Sequence, residues 1–224
     1  MTLNLSKQYN RFSDIFSMVH DDGNKYSNRV FFDVLREENI QGKKILDLGC
    51  GNGTDMQYYK YRFGDNIYGV DASEKFIEEA SAKKLNVSIG LFDKIPHEEK
   101  SFDVVVSKYA LQTVDDFKDT YKEVSRVLKP GGKFIFLTVH PMRQFFEEKT
   151  KHKNFFQKTI VKSVLFGGKI IAQEPTHTLE EYLSAEFFKL FNLEKFIEKD
   201  DFYSAEQLNG DKYPTYMIIS ATKK

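Results

Sequence analysis

From Lys43 to His140 the apolar positions fall into short continuous runs separated by stretches with helical spacing. KILDLG is a brief apolar run carrying one acid, Asp47, and reads as a buried strand. TDMQYYKYRF follows with polar and aromatic positions spread as on a helix. NIYGVD is a second apolar run and again ends in an acid, Asp71. SEKFIEEASAKKL opens on Ser73 as a helix cap, has early acids, and places Phe76, Ile77 and Ala80 on one side. NVSIGLF is a third strand. FDVVVSKYA is a fourth, continuous in valine as a strand covered on both faces would be. DDFKDTYKEVSRVLKPGG is an amphipathic helix stopped by proline and glycine, and KFIFLTVH is the fifth strand.

This alternation predicts an α/β fold: a Rossmann-like, doubly wound sheet, mostly parallel, with helices on both faces. Right-handed crossovers bring ligands to the carboxyl ends of the strands. The residues expected at that edge are Gly49 to Gly53, Asp71, Leu91 to Asp93, Ser107 to Tyr109, and His140. After His140 the periodicity breaks. The stretch to Thr176 is aromatic and basic without a clean period, THTLEEYLSAEFFKL reads as a helix opened by threonine, and FNLEKFIEKD and YPTYMIISATKK read as a closing antiparallel strand pair. The expected organisation is one domain with four parts: an N-terminal helical lid (1–42), a core (43–140), a lid insertion over the acceptor (141–177), and a final helix and strand pair (178–224).

Composition narrows the partners. The 224 residues are 41% hydrophobic and 29% charged, ordinary for a globular chain, and lysine plus arginine balance aspartate plus glutamate. Neither nucleic acid nor an anionic membrane is favoured by a net charge of zero. The basic run EEKTKHKNFFQK mixes charge signs and reads as a solvated face. The single cysteine, Cys50, permits no internal disulfide, and MTLNLSKQYNRFSD lacks a signal-peptide pattern, so a cytoplasmic location without a membrane span is expected. No zinc-type cluster is seen among the five histidines and one cysteine, and no metal is expected.

The sharpest signal is Gly49-Cys50-Gly51-Asn52-Gly53 between a strand and a helix. Such a loop offers backbone N–H groups and a helix N-terminus to a ligand. Asp71, about twenty residues on, stands where an acid binds two ribose hydroxyls. A dinucleotide loop prefers G-x-G-x-x-G, whereas this one is G-x-G-x-G with Asp47 close by. That acid would repel a pyrophosphate and suit an ammonium group. A carboxylate, an ammonium and a ribose together describe S-adenosylmethionine.

At these residues the chain resembles the class I S-adenosylmethionine-dependent methyltransferases, closest to the small-molecule, ubiquinone/menaquinone-biosynthesis-like branch. LDLGCGNG, YGVDAS, SFDVVVSKYALQTVDD and EVSRVLKPGGKFIF match successive family segments over residues 40 to 140, with looser likeness at QYNRFSD and THTLEEYL. The resemblance implies that Asp47 faces the methionine amino group. It places the backbone of Gly49, Cys50 and Gly51 along the methionine moiety, with Ser107 and Lys108 beside it. Asp71 would hold the ribose, Ala72 would lie against the adenine, and Tyr9 would close over the cofactor. The family's acid-alanine pair on the third-strand loop falls here on Leu91 and Phe92, with Asp93 two residues later; adenine contact is therefore assigned to Leu91, Phe92 and Asp93 together. Where the family often carries a histidine pair, this chain has Gln112 and Thr113.

The implied activity is methyl transfer to a small apolar or aromatic molecule by in-line displacement. If the acceptor must lose a proton, the candidate bases are His140, His177 and Tyr109, against readings of the two histidines as local packing or capping groups. Phe145, Phe146, Phe155, Phe156 and Phe166 would line the acceptor lid, serve as its own core, or pair two copies of the chain. His20, His97 and His152 receive no role, and Cys50 reads as a small buried filler. The competing readings are a nicotinamide-dependent oxidoreductase, which the glycine spacing and Asp47 oppose, and a protein that binds S-adenosylmethionine without turnover.

Overall fold

The structure is a computed structural model that describes residues 5–19, 26–147, 154–165, 169–201 and 212–224. Two helices lead, α1 (Leu5–Val19) and α2 (Tyr26–Glu37). The core then runs β1 (Ile45–Leu48), α3 (Thr54–Phe63), β2 (Ile67–Asp71), α4 (Glu74–Ala82), β3 (Asn86–Ile89), β4 (Phe102–Lys108), a 3₁₀ turn at Leu111–Thr113, α5 (Phe117–Val127) and β5 (Leu128–Val139). Beyond it come α6 (Pro141–Glu147), β6 (Ile160–Leu165), β7 (Ile170–Pro175), α7 (Leu179–Tyr182), α8 (Ala185–Leu190), β8 (Phe191–Lys199) and β9 (Tyr216–Lys223).

Seven strands form one sheet in the order β3-β2-β1-β4-β5-β9-β8. The first five are parallel; β9 inserts antiparallel between β5 and β8. Strand alternation splits the core into two layers. Leu46, Val105, Phe134 and Phe136 point to the face covered by α5, α7 and α8, where Tyr121, Val124, Tyr182 and Phe187 meet them. Ile45, Val104, Val106, Ile135 and Leu137 point to the other, under α2, α3 and α4. The order of strands reverses direction between β1 and β4, so the carboxyl ends of those two strands open the ligand crevice.

Several elements depart from the sequence reading. The helix α2 is not roof: Phe31, Val34 and Leu35 are buried in the second core layer. Glu38, just past its end, ties it to the sheet through Lys133 (2.7 Å), Lys195 (3.2 Å) and the Ser220 hydroxyl (3.0 Å). Lys129-Pro130-Gly131-Gly132 lies inside β5 instead of before it. The pairing jumps there from Phe102–Leu128 to Val104–Lys133, and Gly131 takes φ +71° to make the bend. The expected helix over residues 176–190 breaks into α7 and α8, because Ser184 caps a fresh start by accepting from the Phe187 N–H. The lid insertion hides a hairpin, β6–β7, which pairs only with itself and stands apart from the main sheet. No helix among the described residues is long and apolar enough to cross a membrane.

If α2 is a core helix and not a movable cover, Phe31→Ala should cost about 3–5 kcal/mol in denaturant unfolding. A loss below about 1 kcal/mol would place Phe31 in a lid.

Candidate functional site

The glycine loop is fastened to the end of β2. The Val70 carbonyl accepts both the Gly49 N–H (2.8 Å) and the Cys50 N–H (3.1 Å). One Asp71 oxygen accepts the Gly51 N–H (2.9 Å) and the other the Ser73 N–H (2.8 Å). The first three loop N–H groups are thus spent inside the protein. Gly49 must be glycine twice over: its φ is +82°, and a Cβ there would stand 2.3 Å from Ala110 Cβ and 3.2 Å from the Phe92 ring. Gly51 also has positive φ, +53°, but nothing lies within 4 Å of its missing Cβ. What the loop offers a ligand is this open Cα surface. Cys50 turns the other way, packing its sulfur at Gly69 and donating weakly to the Gly51 carbonyl, and burial pushes its thiol pKa well up. It is no nucleophile.

Beside the loop sit several buried charges. Asp47 is buried on β1, and among the described residues no hydrogen bond reaches its carboxyl. Burial holds its pKa well above the ordinary carboxylate value; the nearby charges of Asp55 and Asp71 push the same way, and Lys108 opposes them. Lys108 itself pairs with Asp55 at 2.8 Å and lies over the Phe32 ring at 5.5 Å. Burial raises Asp71 too, while the N–H groups of Ser73, Gly51 and Ala72 pull it back. Ser107 is fully buried at the end of β4. In the turn after β3, Phe92 reaches Gly49, whereas Leu91 and Asp93 are exposed. Only Phe92 of that trio is brought to the loop.

Helix α1 is attached to both α4 and the hairpin. Asn10 Oδ1 accepts the Ser73 hydroxyl at 2.7 Å, and Phe16 packs edge-on to Phe76, fixing α1 to α4. Gln8 makes a two-way amide pair with the Gln173 backbone, donating at 3.0 Å and accepting at 2.9 Å, which fixes α1 to β7. Tyr9 lies between these attachments. Burial raises its hydroxyl pKa well above the usual value, and the charges of Glu174 and Asp71 add to the effect. Tyr9 is therefore near both Asp71 and the hairpin.

The three candidate bases are all held by other groups. His140 is buried; its Nδ1 accepts the Met142 N–H (3.1 Å) and its Nε2 faces Glu198 (2.7 Å). Burial lowers its pKa against the pull of Glu198. The neutral ring that fits these partners carries its proton on Nε2, and its one lone pair is already taken. His177 is tilted 36° against the Phe117 ring, centroids 4.5 Å apart, with Nε2 against the Gln112 carbonyl (3.2 Å) and Nδ1 3.5 Å from Glu181, out of line for a hydrogen bond. Glu181 completes a capping box with Thr178 at the start of α7. Although burial works against its ionisation, His177, the Thr178 N–H and Lys158 bring its carboxyl down to about 2. Tyr109, at φ +51°, turns its hydroxyl toward Asp201 (3.4 Å); burial raises its pKa. Asp201 in turn accepts the Ser27 N–H at the start of α2 (2.7 Å).

The lid phenylalanines pack on one another. Phe145 meets Phe146 and Phe155, Phe155 meets Phe156, and Phe146 meets Tyr213. Phe156 is 83% exposed. Phe166, His20 and His152 lie outside the described residues.

Sequence reasoning missed Glu174. It is buried on β7, and its Oε2 accepts the Ser163 hydroxyl at 2.7 Å. The signal was present: in IIAQEP the alternation puts Glu174 on the same face as Ile170 and Ala172, the buried one. An acid on the apolar face of a strand needs a reason.

The raised pKa of Asp47 has a consequence for stability. A carboxyl that titrates higher in the folded chain than in the unfolded one supports folding at low pH and loses that contribution as pH rises through the folded value. Asp47→Asn removes the charge and with it this loss. The ligand-free variant should melt above wild type at pH 7–8, by about 2–4 °C per kcal/mol relieved. The gap should close as pH falls toward about 4, the unfolded carboxylate range. A pH-independent gap in scanning calorimetry would refute the assignment.

The comparisons agree with this geometry. The family described as "Methyltransferase domain" matches residues 46–136, from β1 into β5. The demethylmenaquinone methyltransferase of Lactococcus lactis subsp. lactis (strain IL1403) is 31% identical over 220 residues, covering 88% of this chain and 83% of that protein. That of Staphylococcus aureus (strain MRSA252) is 33% identical over 153 residues, covering 65% and 61%. Among solved structures, a Listeria monocytogenes protein assigned as an S-adenosylmethionine-dependent methyltransferase superposes with TM-score 0.67 at 26% identity, over 86% of this chain and 97% of that one. A Mesorhizobium loti methyltransferase at 24% identity and TM-score 0.68 shares the fold, over 85% and 96%. With the glycine loop, Asp71 and the strand order in place, and a relative 31% identical over 83% of its length, the chain belongs to the S-adenosylmethionine-dependent methyltransferases, in the branch that acts on small molecules.

Proposed function

We propose that the acceptor is a small hydroxylated aromatic ring of the hydroquinone type. S-adenosylmethionine supplies a methyl carbon already activated on a sulfonium. The chain has to hold it, align the acceptor and exclude water, and alignment alone can be worth up to about 7–11 kcal/mol.

The residues suit that cofactor. The Asp71 carboxylate, which accepts the N–H groups of Gly51, Ser73 and Ala72, keeps acceptor capacity for a ribose hydroxyl. Asp47, buried without a donor, would gain one from the methionine ammonium. The open face of Gly51, with Gly49, Cys50, Ser107 and Lys108 around it, would border the methionine. Ala72 and Phe92 would take the adenine side, and Tyr9 would cover it. Leu91 and Asp93 would contribute through backbone, since their side chains are exposed.

The observation that supports the acceptor class is the polar junction beside the glycine loop: Gln8 of α1 bonds the Gln173 backbone in both directions, and the buried carboxyl of Glu174 is next in that strand. Polar groups set among apolar ones in this way suit a compact ring with hydrogen-bonding substituents. The relatives' name, demethylmenaquinone methyltransferase, points to the same chemistry: a naphthoquinone ring, electron-rich enough for methylation once reduced.

Calorimetry should show S-adenosylhomocysteine binding to wild type and at least tenfold weaker binding to Asp71→Ala, a loss of about 1.4 kcal/mol. Unchanged affinity would sink the ribose assignment. Mass spectrometry of 1,4-dihydroxynaphthalene incubated anaerobically with protein and S-adenosylmethionine should show one added methyl group. An unmodified ring would count against the hydroquinone class.

A further inference from the structure

The hairpin carries a group that the cofactor site does not use. Strand β7 is docked against the 3₁₀ turn that follows β4, and its end is stapled in place. The Gln144 amide donates to the Pro175 carbonyl (3.1 Å), the His177 N–H reaches Gln144 Oε1 (3.3 Å), and His177 Nε2 meets the Gln112 carbonyl (3.2 Å). Gln112 is fixed in turn: its amide donates to the Tyr109 carbonyl (2.8 Å) and its oxygen accepts the Thr138 hydroxyl (3.1 Å). These bonds hold β7, and Glu174 with it, beside the 3₁₀ turn Leu111–Thr113 that follows β4. The two histidines that the sequence nominated are among the fixtures: both ring nitrogens of His140 are engaged, and His177 is held through Nε2 while its Nδ1 lies 3.5 Å from Glu181.

A buried carboxyl is costly to keep unless it is paired or used. Ser163 holds one oxygen, and the Gln112 side chain lies close. The groups facing it are Arg143 from α6, His177 before α7, Tyr182 from α7 and Tyr9 from α1. Burial raises its pKa, against Ser163, Gln112, Arg143 and His177, which favour the charged form. A carboxylate shifted up toward neutrality is a better proton acceptor than an exposed one. Helix α1 joins this strand to the end of β2: Gln8 bonds the Gln173 backbone, Asn10 Oδ1 accepts the Ser73 hydroxyl, and Tyr9 lies between them in the chain.

We propose that Glu174 is the general base of the reaction, taking the proton of the acceptor's ring hydroxyl. This rests on the hydroquinone reading above. In the balanced step the acceptor O–H bond breaks, its proton passes to a Glu174 carboxylate oxygen, and the electron pair stays on the ring. That pair forms the new bond to the methyl carbon while the carbon–sulfur bond breaks, its pair remaining on sulfur. Attack through oxygen ends there. Attack through a ring carbon is followed by loss of that carbon's proton as the ring becomes aromatic again and its oxygen regains one. Either way one net proton leaves through Glu174 to solvent.

The test compares wild type, Glu174→Gln and Glu174→Asp, with 1,4-dihydroxynaphthalene as acceptor under nitrogen. Calorimetric affinity for S-adenosylhomocysteine should be the same in all three within about threefold, because Glu174 does not hold the cofactor. In wild type kcat/KM should fall as pH drops and Glu174 takes a proton. Glu174→Gln should lose about 100-fold or more in kcat, the usual worth of a general base, and its profile should lose that acid limb. Glu174→Asp should keep the limb at a reduced rate. A glutamine variant with wild-type kcat and an unchanged acid limb overturns the proposal. So does a parallel loss of S-adenosylhomocysteine affinity, which would make Glu174 a support of the pocket, or an aspartate variant that folds but shows no acid limb. If wild type binds S-adenosylhomocysteine yet never methylates the hydroquinone, the acceptor reading fails first and this role falls with it.

Discussion

The site depends on one junction, where the end of β2 fastens the loop that follows β1. The Val70 carbonyl takes two loop N–H groups, and Asp71 takes a third together with the first N–H of the next turn. Two neighbouring strand ends are thereby joined crosswise at their carboxyl edges. The left-handed glycines exist to let the chain bend tightly enough to be fastened there, and Gly49 has no room for a side chain in any case. An acid in this position does two things. It organises the loop before any ligand arrives, and it keeps lone pairs toward the crevice. A site organised in advance does not have to spend binding energy on ordering itself.

The same economy applies to α1. It touches α4 through Asn10 and Phe16 and touches the hairpin through Gln8, so one helix joins the core to the hairpin. The bonds named are mostly amide to backbone, the kind that can be broken and remade at modest cost. α2 is different. Its aromatic and aliphatic face is built into the second core layer and its end is locked by Glu38 between two lysines. Two consecutive helices of similar length are thus attached differently, one through a few polar bonds and one through the core.

Buried acids are the chemical theme. Asp47, Asp71 and Glu174 are each held above their ordinary pKa by burial, the first two on β1 and β2 of the main sheet and the third on the hairpin. Clusters of this kind cost stability and are retained where chemistry needs them. The histidines, by contrast, act as fasteners. His140 and His177 secure the ends of β5 and β7, and through them the position of Glu174 above the segment after β4.

How much of this was legible in the chain follows from the range of the forces involved. The core strands and helices, the glycine loop and Asp71 could be read directly, because continuous apolar runs, a capping serine and a loop that only glycine can form are local properties. Ser73 caps α4 and buries Phe76, Ile77 and Ala80 beneath it, as the sequence required. The sequence also carried the alternation that buries Glu174, but four residues of strand pattern inside an aromatic, charged stretch did not stand out as half of a hairpin. The fates of His140 and His177 were not local at all. Glu198 lies 58 residues from His140 and Gln112 lies 65 from His177, and only the folded sheet brings them together. The two roles of α1 and α2 were decided the same way, since an amphipathic helix shows that it will bury a face but not against what. The chain by itself determined its elements and its glycine loop; tertiary packing decided which polar groups would be tied up as fasteners and which carboxyl would be buried on the hairpin.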